Sequence, residues 1–379
     1  MRTLLKIIGG LLIGILIGLL LSTAGILLFT DTSFEEFLSA FGKLEPGEGI
    51  LSIITGIGAL IVSLFLLVTI HEGGHLVCGL LSGYHFVSFR LFNLTVIRSE
   101  GRLRAKHFAV AGTGGQCLLS PPDLPLKDIP VIWYNFGGIL ANIVAGLIVL
   151  PLLRIHTIPP LLYESVVIFL LTDLFLILTN GIPMQAGGIG NDAYNIIMLR
   201  KNEKSKRALM LQLRSNALIQ EGVRPKDMPA EWFVTEGEPD YRNPLEVSIP
   251  LMEASRLIDE MKWDEAYAAF GRIYSHKTEL MPLYAMETAC ELVFTLLVTG
   301  DTDRARGLYD IKLRRYIETY RKVMSSKERI LCAVALHLEN DPGKARSIYD
   351  NLAKRRDSYL LQGEVKSDLA IMDAMLNNI

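Results

Sequence analysis

Hydrophobic residues are concentrated in the first half of the chain, where they form four long runs. A helix needs about 20 apolar residues to cross the hydrocarbon core of a membrane. The runs that reach this length are Leu4–Phe29, Leu51–Leu81, Val131–Leu153 and Ile158–Asn180. The first has Arg2 and Lys6 at its start, as a signal peptide would, but its run is too long and lacks a small-x-small cleavage pattern. The pattern therefore predicts four transmembrane helices.

The polar stretch between the second and third runs is rich in the β-branched and aromatic residues typical of strands. It predicts two strands, Phe86–Ile97 and Arg102–Val110, joined by a turn at residues 99–101. The glycines at 112, 114 and 115 are not followed by the Lys-Ser/Thr of a phosphate loop, so they indicate a flexible loop. We expect a small β-hairpin beside the membrane.

The second half of the chain has a helical pattern with an internal repeat. An amphipathic helix is predicted over Asp192–Gln220, and five prolines then mark an irregular connector. Three later segments each carry an alanine followed four residues on by an aromatic ring, at Ala266, Ala305 and Ala345. Their spacings of 39 and 40 residues resemble the tetratricopeptide class and predict a soluble α-solenoid of stacked helix pairs. Helical hairpins without a true repeat register are the alternative.

Charge separates the same two halves. Residues 1–199 hold 10 basic and 12 acidic side chains, whereas residues 200–379 hold 28 of each. The division predicts a transmembrane domain at 1–200, a helix and irregular linker at 201–250, and a helical domain at 251–379. The fold class is thus an all-α, polytopic membrane protein with a small β-hairpin. A net charge of -2 makes nucleic acid an unpromising partner.

The loops between the runs also predict the orientation in the membrane. The loop Asp31–Ile50 carries five acidic side chains against Lys43 alone, whereas Gly83–Pro130 carries six basic ones and Arg200–Arg207 five more. Because basic loops stay in the cytoplasm, we expect a multi-pass protein of the cell membrane with both termini cytoplasmic. The four cysteines are scattered without a C-x-x-C pair, which fits free thiols in a reducing compartment.

The second run ends in the segment His71-Glu72-Gly73-Gly74-His75. Two histidines four residues apart project from nearly the same side of a helix, so both can reach one metal ion. Glu72 can then act as a general base. Charged and polar groups are unfavourable inside a membrane. The simplest reason for their presence there is that they bind something, such as a metal ion. An interfacial polar cluster at a helix end is the alternative.

A catalytic zinc site takes three protein ligands and keeps a fourth position open. The segment after the fourth run is predicted to reach the same side of the membrane as His71 and His75. Asp192 is the best candidate there for the third ligand. Its alternative role is the N-cap of the helix that follows, and the two roles are compatible.

At this point the residues resemble a known family, the site-2 protease family of intramembrane zinc metalloproteases. The resemblance covers roughly residues 50–200. The matching features are His71-Glu72-x-x-His75 within a membrane helix, Asn142 in the Gly137–Asn142 stretch of the next helix, and Asn180-x-x-Pro183 leading to Asp192.

The resemblance implies a site for Zn²⁺ and a division of roles within it. It implies metal ligation by His71, His75 and Asp192, a general base at Glu72, and contacts to the substrate backbone or oxyanion from Asn142 and Asn180. The chain also departs from the family pattern. Pro183 and Asp192 are nine residues apart and Ala193 follows, whereas the family aspartate usually follows the proline closely and precedes glycine. The 47-residue loop Tyr84–Pro130 is too short for the PDZ domain of many relatives.

Two functions follow as hypotheses. The first is a zinc metalloendopeptidase that cuts membrane-embedded protein or peptide substrates in the lipid bilayer, with its helical repeats binding a cytoplasmic protein partner. The second is a catalytically inactive, membrane-anchored scaffold that acts through the repeats. A transporter is a weaker third reading, because the spans show no paired broken helices.

Overall fold

The computed structural model describes residues 46–99, 102–107, 114–155, 157–186 and 189–377. The predicted span Leu4–Phe29 lies outside the described residues. By their internal contacts the described residues fall into two compact units, one of residues 46–78 and 135–182, the other of residues 79–134 and 183–377. The predicted domain boundaries near residues 200 and 250 stay predictions.

The first unit consists of parts of three long apolar helices. These are α1 (Pro46–Leu81), α2 (Val131–Val149) and α3 (Pro160–Gly181). A 3-10 turn, Leu150–Arg154, extends α2 because Pro151 cannot continue a regular helix. The described residues contain three segments long and apolar enough to cross a membrane: Leu51–Leu81, Leu126–Arg154 and Pro160–Gly181. The second, third and fourth predicted spans are confirmed at that level.

Glycine brings α1 and α2 into backbone contact. A Cβ added to Gly74 would overlap the carbonyl of Gly137, and a Cβ added to Gly137 would overlap the carbonyl of Gly74. Small residues allow such close approach between membrane helices, where tight packing replaces the hydrophobic effect as the driving force. The close approach begins where α1 carries its histidines.

The second unit contains a four-stranded antiparallel sheet that includes a hairpin at the predicted place, with Ser99 paired to Arg102. Its strands are β1 (His85–Leu91), β2 (Leu94–Ser99), β3 (Arg102–His107) and β4 (Gly115–Ser120), in the order β3-β2-β1-β4. The predicted strand Phe86–Ile97 is wrong, because the chain reverses at Phe92, whose φ of 52° is left-handed. The predicted loop is also wrong at Gly115, where β4 begins; residues 112 and 113 lie outside the described residues.

Ten helices of the second unit follow a two-strand ribbon, β5 (Gln185–Ala186) and β6 (Ile189–Gly190). They are α4 (Asp192–Lys201), α5 (Glu203–Gln220), α6 (Pro244–Asp259), α7 (Trp263–Ser275), α8 (Pro282–Val298), α9 (Thr302–Leu308), α10 (Ile311–Tyr320), α11 (Ser325–His337), α12 (Pro342–Arg355) and α13 (Gln362–Asn377). The predicted helix Asp192–Gln220 is thus confirmed with a break at Asn202. The side chain of Asn202 caps α5 by accepting from the backbone N–H of Ser205.

The three alanines of the sequence repeat are all fully buried. Ala266, Ala305 and Ala345 lie on α7, α9 and α12. Each of these helices packs against the helix before it. The last helix, α13, packs on α11 and α12 but also returns to α5 and α6. Units of an open solenoid contact only their neighbours, so the tetratricopeptide class and the solenoid stay predictions.

Charged side chains are buried inside this helical core. Lys327 is fully buried and its Nζ lies 2.6 Å from Oε2 of Glu287. Arg329 binds two carboxylates, with Nη2 2.8 Å from Oε2 of Glu291 and Nε 2.7 Å from Oδ1 of Asp368. Burial of charge is tolerated when each group is paired. The four cysteines, all of which lie among the described residues, form no disulfide, as the sequence predicts.

Candidate metal centre

The two histidines lie on the second half of α1, and helical spacing brings their rings together. The Nε2 atoms of His71 and His75 are 3.2 Å apart, and the rings meet edge to face with centroids 4.8 Å apart. His75 is buried and His71 is half-buried. Because the helix is uninterrupted here, it holds the two imidazoles beside each other.

The separation of the two nitrogens fits a tetrahedral metal site. Ligand nitrogens that each lie about 2.0–2.1 Å from zinc stand roughly 3.3 Å apart at a tetrahedral angle. The observed 3.2 Å between Nε2 of His71 and Nε2 of His75 matches this within 0.2 Å, the usual tolerance for such sites. The spacing of the two nitrogens is therefore compatible with a shared metal ion.

Asp192 completes a group that could hold a metal ion. The ligand atoms of His71, His75 and Asp192 all lie within 4.8 Å of one another. Two imidazole nitrogens and one carboxylate oxygen are a donor set suited to a transition metal. The three predicted ligands are thus brought together, while the identity of the metal stays a prediction.

The helix cap beside Asp192 differs from the expectation. Oδ1 of Asn191 accepts from the backbone N–H of Tyr194 at 3.0 Å and from that of Met184 at 3.2 Å. Asn191 is therefore the N-cap of α4, and the alternative that Asp192 is the cap is wrong. The cap ties the start of α4 to the preceding loop. Asparagine is among the strongest N-cap residues, so the sequence contained this signal.

Gly138 of α2 lies against both metal-binding nitrogens. A Cβ added to Gly138 would be 2.6 Å from Nε2 of His71 and 2.6 Å from Nε2 of His75. Only glycine lets the α2 backbone come so close. In the sequence, Gly138 belongs to the Gly137–Asn142 stretch that resembles the protease family, but no role was predicted for it. The signal that could have identified it is the Gly137-Gly138 pair inside an apolar helix.

The remaining predicted site residues have different surroundings. Glu72 follows His71 on α1 and is half-buried. Asn180, in the last turn of α3, donates its Nδ2 to the carbonyl of Leu176 at 3.0 Å. Their catalytic roles stay predictions.

Comparison of the chain with protein-family models, with curated proteins and with solved structures gave no match. The function is therefore argued from the site alone.

Proposed function

We propose that the protein is an intramembrane zinc metalloprotease that hydrolyses peptide bonds in membrane-embedded protein or peptide substrates. The grouping of His71, His75 and Asp192 within 4.8 Å carries this proposal. The histidines lie on a helix long and apolar enough to cross a membrane. Such groups are expensive in hydrocarbon, so a bound metal gives a physical reason for their presence.

The ligand set leaves room for chemistry. Three protein ligands are the number in catalytic zinc sites, which keep a fourth position for water or substrate. When bound, the zinc supplies Lewis-acid activation of water and of the scissile carbonyl. His71, His75 and Asp192 would hold the ion in this arrangement.

Glu72 is the proposed general base. It takes a proton from the attacking water and later returns that proton to the leaving amine. The amides of Asn142 and Asn180 are proposed to hydrogen-bond the substrate backbone or the developing oxyanion. A helical substrate must unwind first, because its carbonyls are engaged in hydrogen bonds. The edge strand β3 is a candidate to pair with the unwound segment.

The proposal extends to topology and partners. We place the protein in the cell membrane with both termini cytoplasmic, because the basic loops predict that orientation. The helical part after residue 250 would then recruit or regulate through a cytoplasmic protein partner.

Zinc content tests the metal site. We would measure zinc per chain in detergent-purified protein for the parent, His71→Ala and Asp192→Ala. One zinc per parent chain and none in either variant is expected. If zinc is lost in His71→Ala but kept in Asp192→Ala, the third ligand is a residue other than Asp192. A zinc-free parent after mild purification would favour the inactive scaffold.

Cleavage tests the reaction. The probe is a fluorogenic peptide with a 20-residue leucine-rich segment broken by a central Gly-Pro, reconstituted with the protein in liposomes. Glu72→Gln should keep its zinc and lose cleavage, because glutamine cannot accept the proton. Cleavage at the parent rate by a zinc-loaded Glu72→Gln variant would refute the proposed role of Glu72.

A further inference from the structure

One face of α2 connects the histidine pair to a buried carboxyl group. Gly138, Asn142 and Gly146 are spaced four residues apart and so lie on the same side of the helix. The first glycine lies against the two imidazoles. A Cβ added to Gly146 would be 2.6 Å from Oδ2 of Asp173, which belongs to α3. Asn142 lies midway between the two glycines.

Asn142 and Asp173 are neighbours with unused hydrogen-bonding capacity. The amide of Asn142 lies beside the carboxyl of Asp173, and their side chains are 0% and 2% exposed. Both amide atoms of Asn142 and Oδ1 of Asp173 lack a hydrogen bond of full geometry among the described residues. The adjacent Thr172 is committed to its own helix, donating to the carbonyl of Ile168 at 2.7 Å.

Unpaired polar atoms are unfavourable in an apolar bundle, where no water is present to satisfy them. A small rotation of the Asn142 amide toward Asp173 would relieve both groups at once. A carboxylate only accepts hydrogen bonds, so it would take one N–H of Asn142. The remaining amide atoms of Asn142 would then be fixed on the face of α2 on which Gly138 lies against the histidine pair.

We propose that Asp173 is a positioning residue that fixes the Asn142 amide for the hydrolytic site. This rests on the proposed protease function and adds to it a carboxylate two helical turns from the metal ligands. Asp173 touches neither metal nor substrate. Its effect passes through Asn142, and Gly146 provides the space that its carboxyl group needs.

A purely structural role makes a different prediction. A contact of Asp173 with a group of α2 other than Asn142 would change stability, and its loss would lower cleavage by the same factor whether or not Asn142 is present. A positioning role disappears when Asn142 is gone. The dependence of one substitution on the other therefore separates the two roles.

A double-mutant cycle tests the proposal, using zinc-loaded protein and the leucine-rich probe peptide. Asp173→Ala should lower kcat about 10- to 100-fold with KM and zinc content unchanged, the usual size for a group that orients a functional one. In an Asn142→Ala background, Asp173→Ala should change kcat less than about 2-fold. Asp173→Asn, whose amide oxygen can still accept, should retain most of the kcat and covers the case in which the alanine variant does not fold.

A second substitution disturbs the carboxyl group of Asp173 from α2. Gly146→Ala should displace Asp173 and give a similar loss of kcat, whereas Gly58→Ala, with nothing within 4 Å of its added Cβ, is the matched control. A cycle of melting temperatures on zinc-stripped protein reports the contact independently of activity.

Each outcome decides the proposal. Losses that multiply in the double variant, or an unchanged kcat in Asp173→Ala, overturn it and leave the protease function standing. A parent that holds no zinc and does not cut the probe removes the function itself, and this inference falls with it.

Discussion

A single methyl group on α2 should weaken metal binding. In Gly138→Ala the new Cβ would be 2.6 Å from Nε2 of His71 and of His75. Ordinary van der Waals contact begins at 3.4 Å, so relief requires a movement of roughly 0.8 Å, whereas metal–ligand distances tolerate about 0.2 Å. The imidazoles cannot clear the methyl group and also keep their tetrahedral separation. Zinc affinity should therefore fall at least about 10-fold, the lower bound for disturbed ligand orientation.

The assay is zinc titration of chelator-treated protein in detergent, for the parent, Gly138→Ala and Gly58→Ala. The control adds the same methyl group to α1 at a position with no neighbour within 4 Å. Both variants gain the same helix propensity, since alanine is favoured over glycine in a helix. Any difference in zinc affinity between them therefore reports the contact with the histidines.

Parent-like zinc affinity in a folded Gly138→Ala variant would refute the reasoning. It would mean that α2 can move away without cost, and that the glycine has no influence on the imidazoles. If Gly138→Ala unfolds in the metal-free state while Gly58→Ala stays folded, the glycine has a packing role. Zinc binding by the fraction of Gly138→Ala that remains folded then tests the contact with the histidines.

Three further predictions concern stability, each measured by thermal unfolding of the full chain in detergent. Arg329→Leu leaves Glu291 and Asp368 buried without their partner and should cost about 3–5 kcal/mol, whereas Arg346→Ala, from an exposed pair, should cost under about 1 kcal/mol; equal costs would contradict the buried network. Burial, followed by the charge of Asp368, raises the pKa of Glu364 from 4.5 to about 8. The stability from this group is fully present below pH 4.5 and is lost as the pH rises through 8, by up to about 1.4 kcal/mol per pH unit. Glu364→Gln should flatten that slope, and an unchanged slope would refute the assignment. Free zinc at 100 times its Kd should raise stability by about 2.7 kcal/mol, and an unchanged melting temperature would contradict a zinc site in the folded state.

The sequence predicted the apolar helices well because one physical property determines them. A run of about 20 apolar residues has few structural alternatives, and Leu51–Leu81 was predicted with the same bounds as the membrane-length segment of the structure. The histidine pair followed from helical spacing alone. The proximity of Asp192 needed a further assumption, the common side of the membrane, and that orientation stays a prediction.

The sheet was harder because its turn carries no turn residue at the decisive position. Phe92 adopts a left-handed φ of 52°, which is unusual for an aromatic residue. The stretch Phe86–Ile97 therefore reads as one continuous strand. The strand β4 was missed because glycines precede it and prolines follow it, so its six residues look like part of a loop.

The site residues that sequence reasoning missed share one property: they act through an absence of side chain. Gly138 and Gly146 matter because a methyl group at either would collide with a polar side chain of another helix. Hydrophobic patterning cannot reveal this, because it depends on which helices come together. In a bundle held by close packing, glycine sets where polar groups can lie. The two glycines eight residues apart on α2 thus define the two ends of one polar face, and Asn142 between them is the group on which the proposed reaction and its positioning converge.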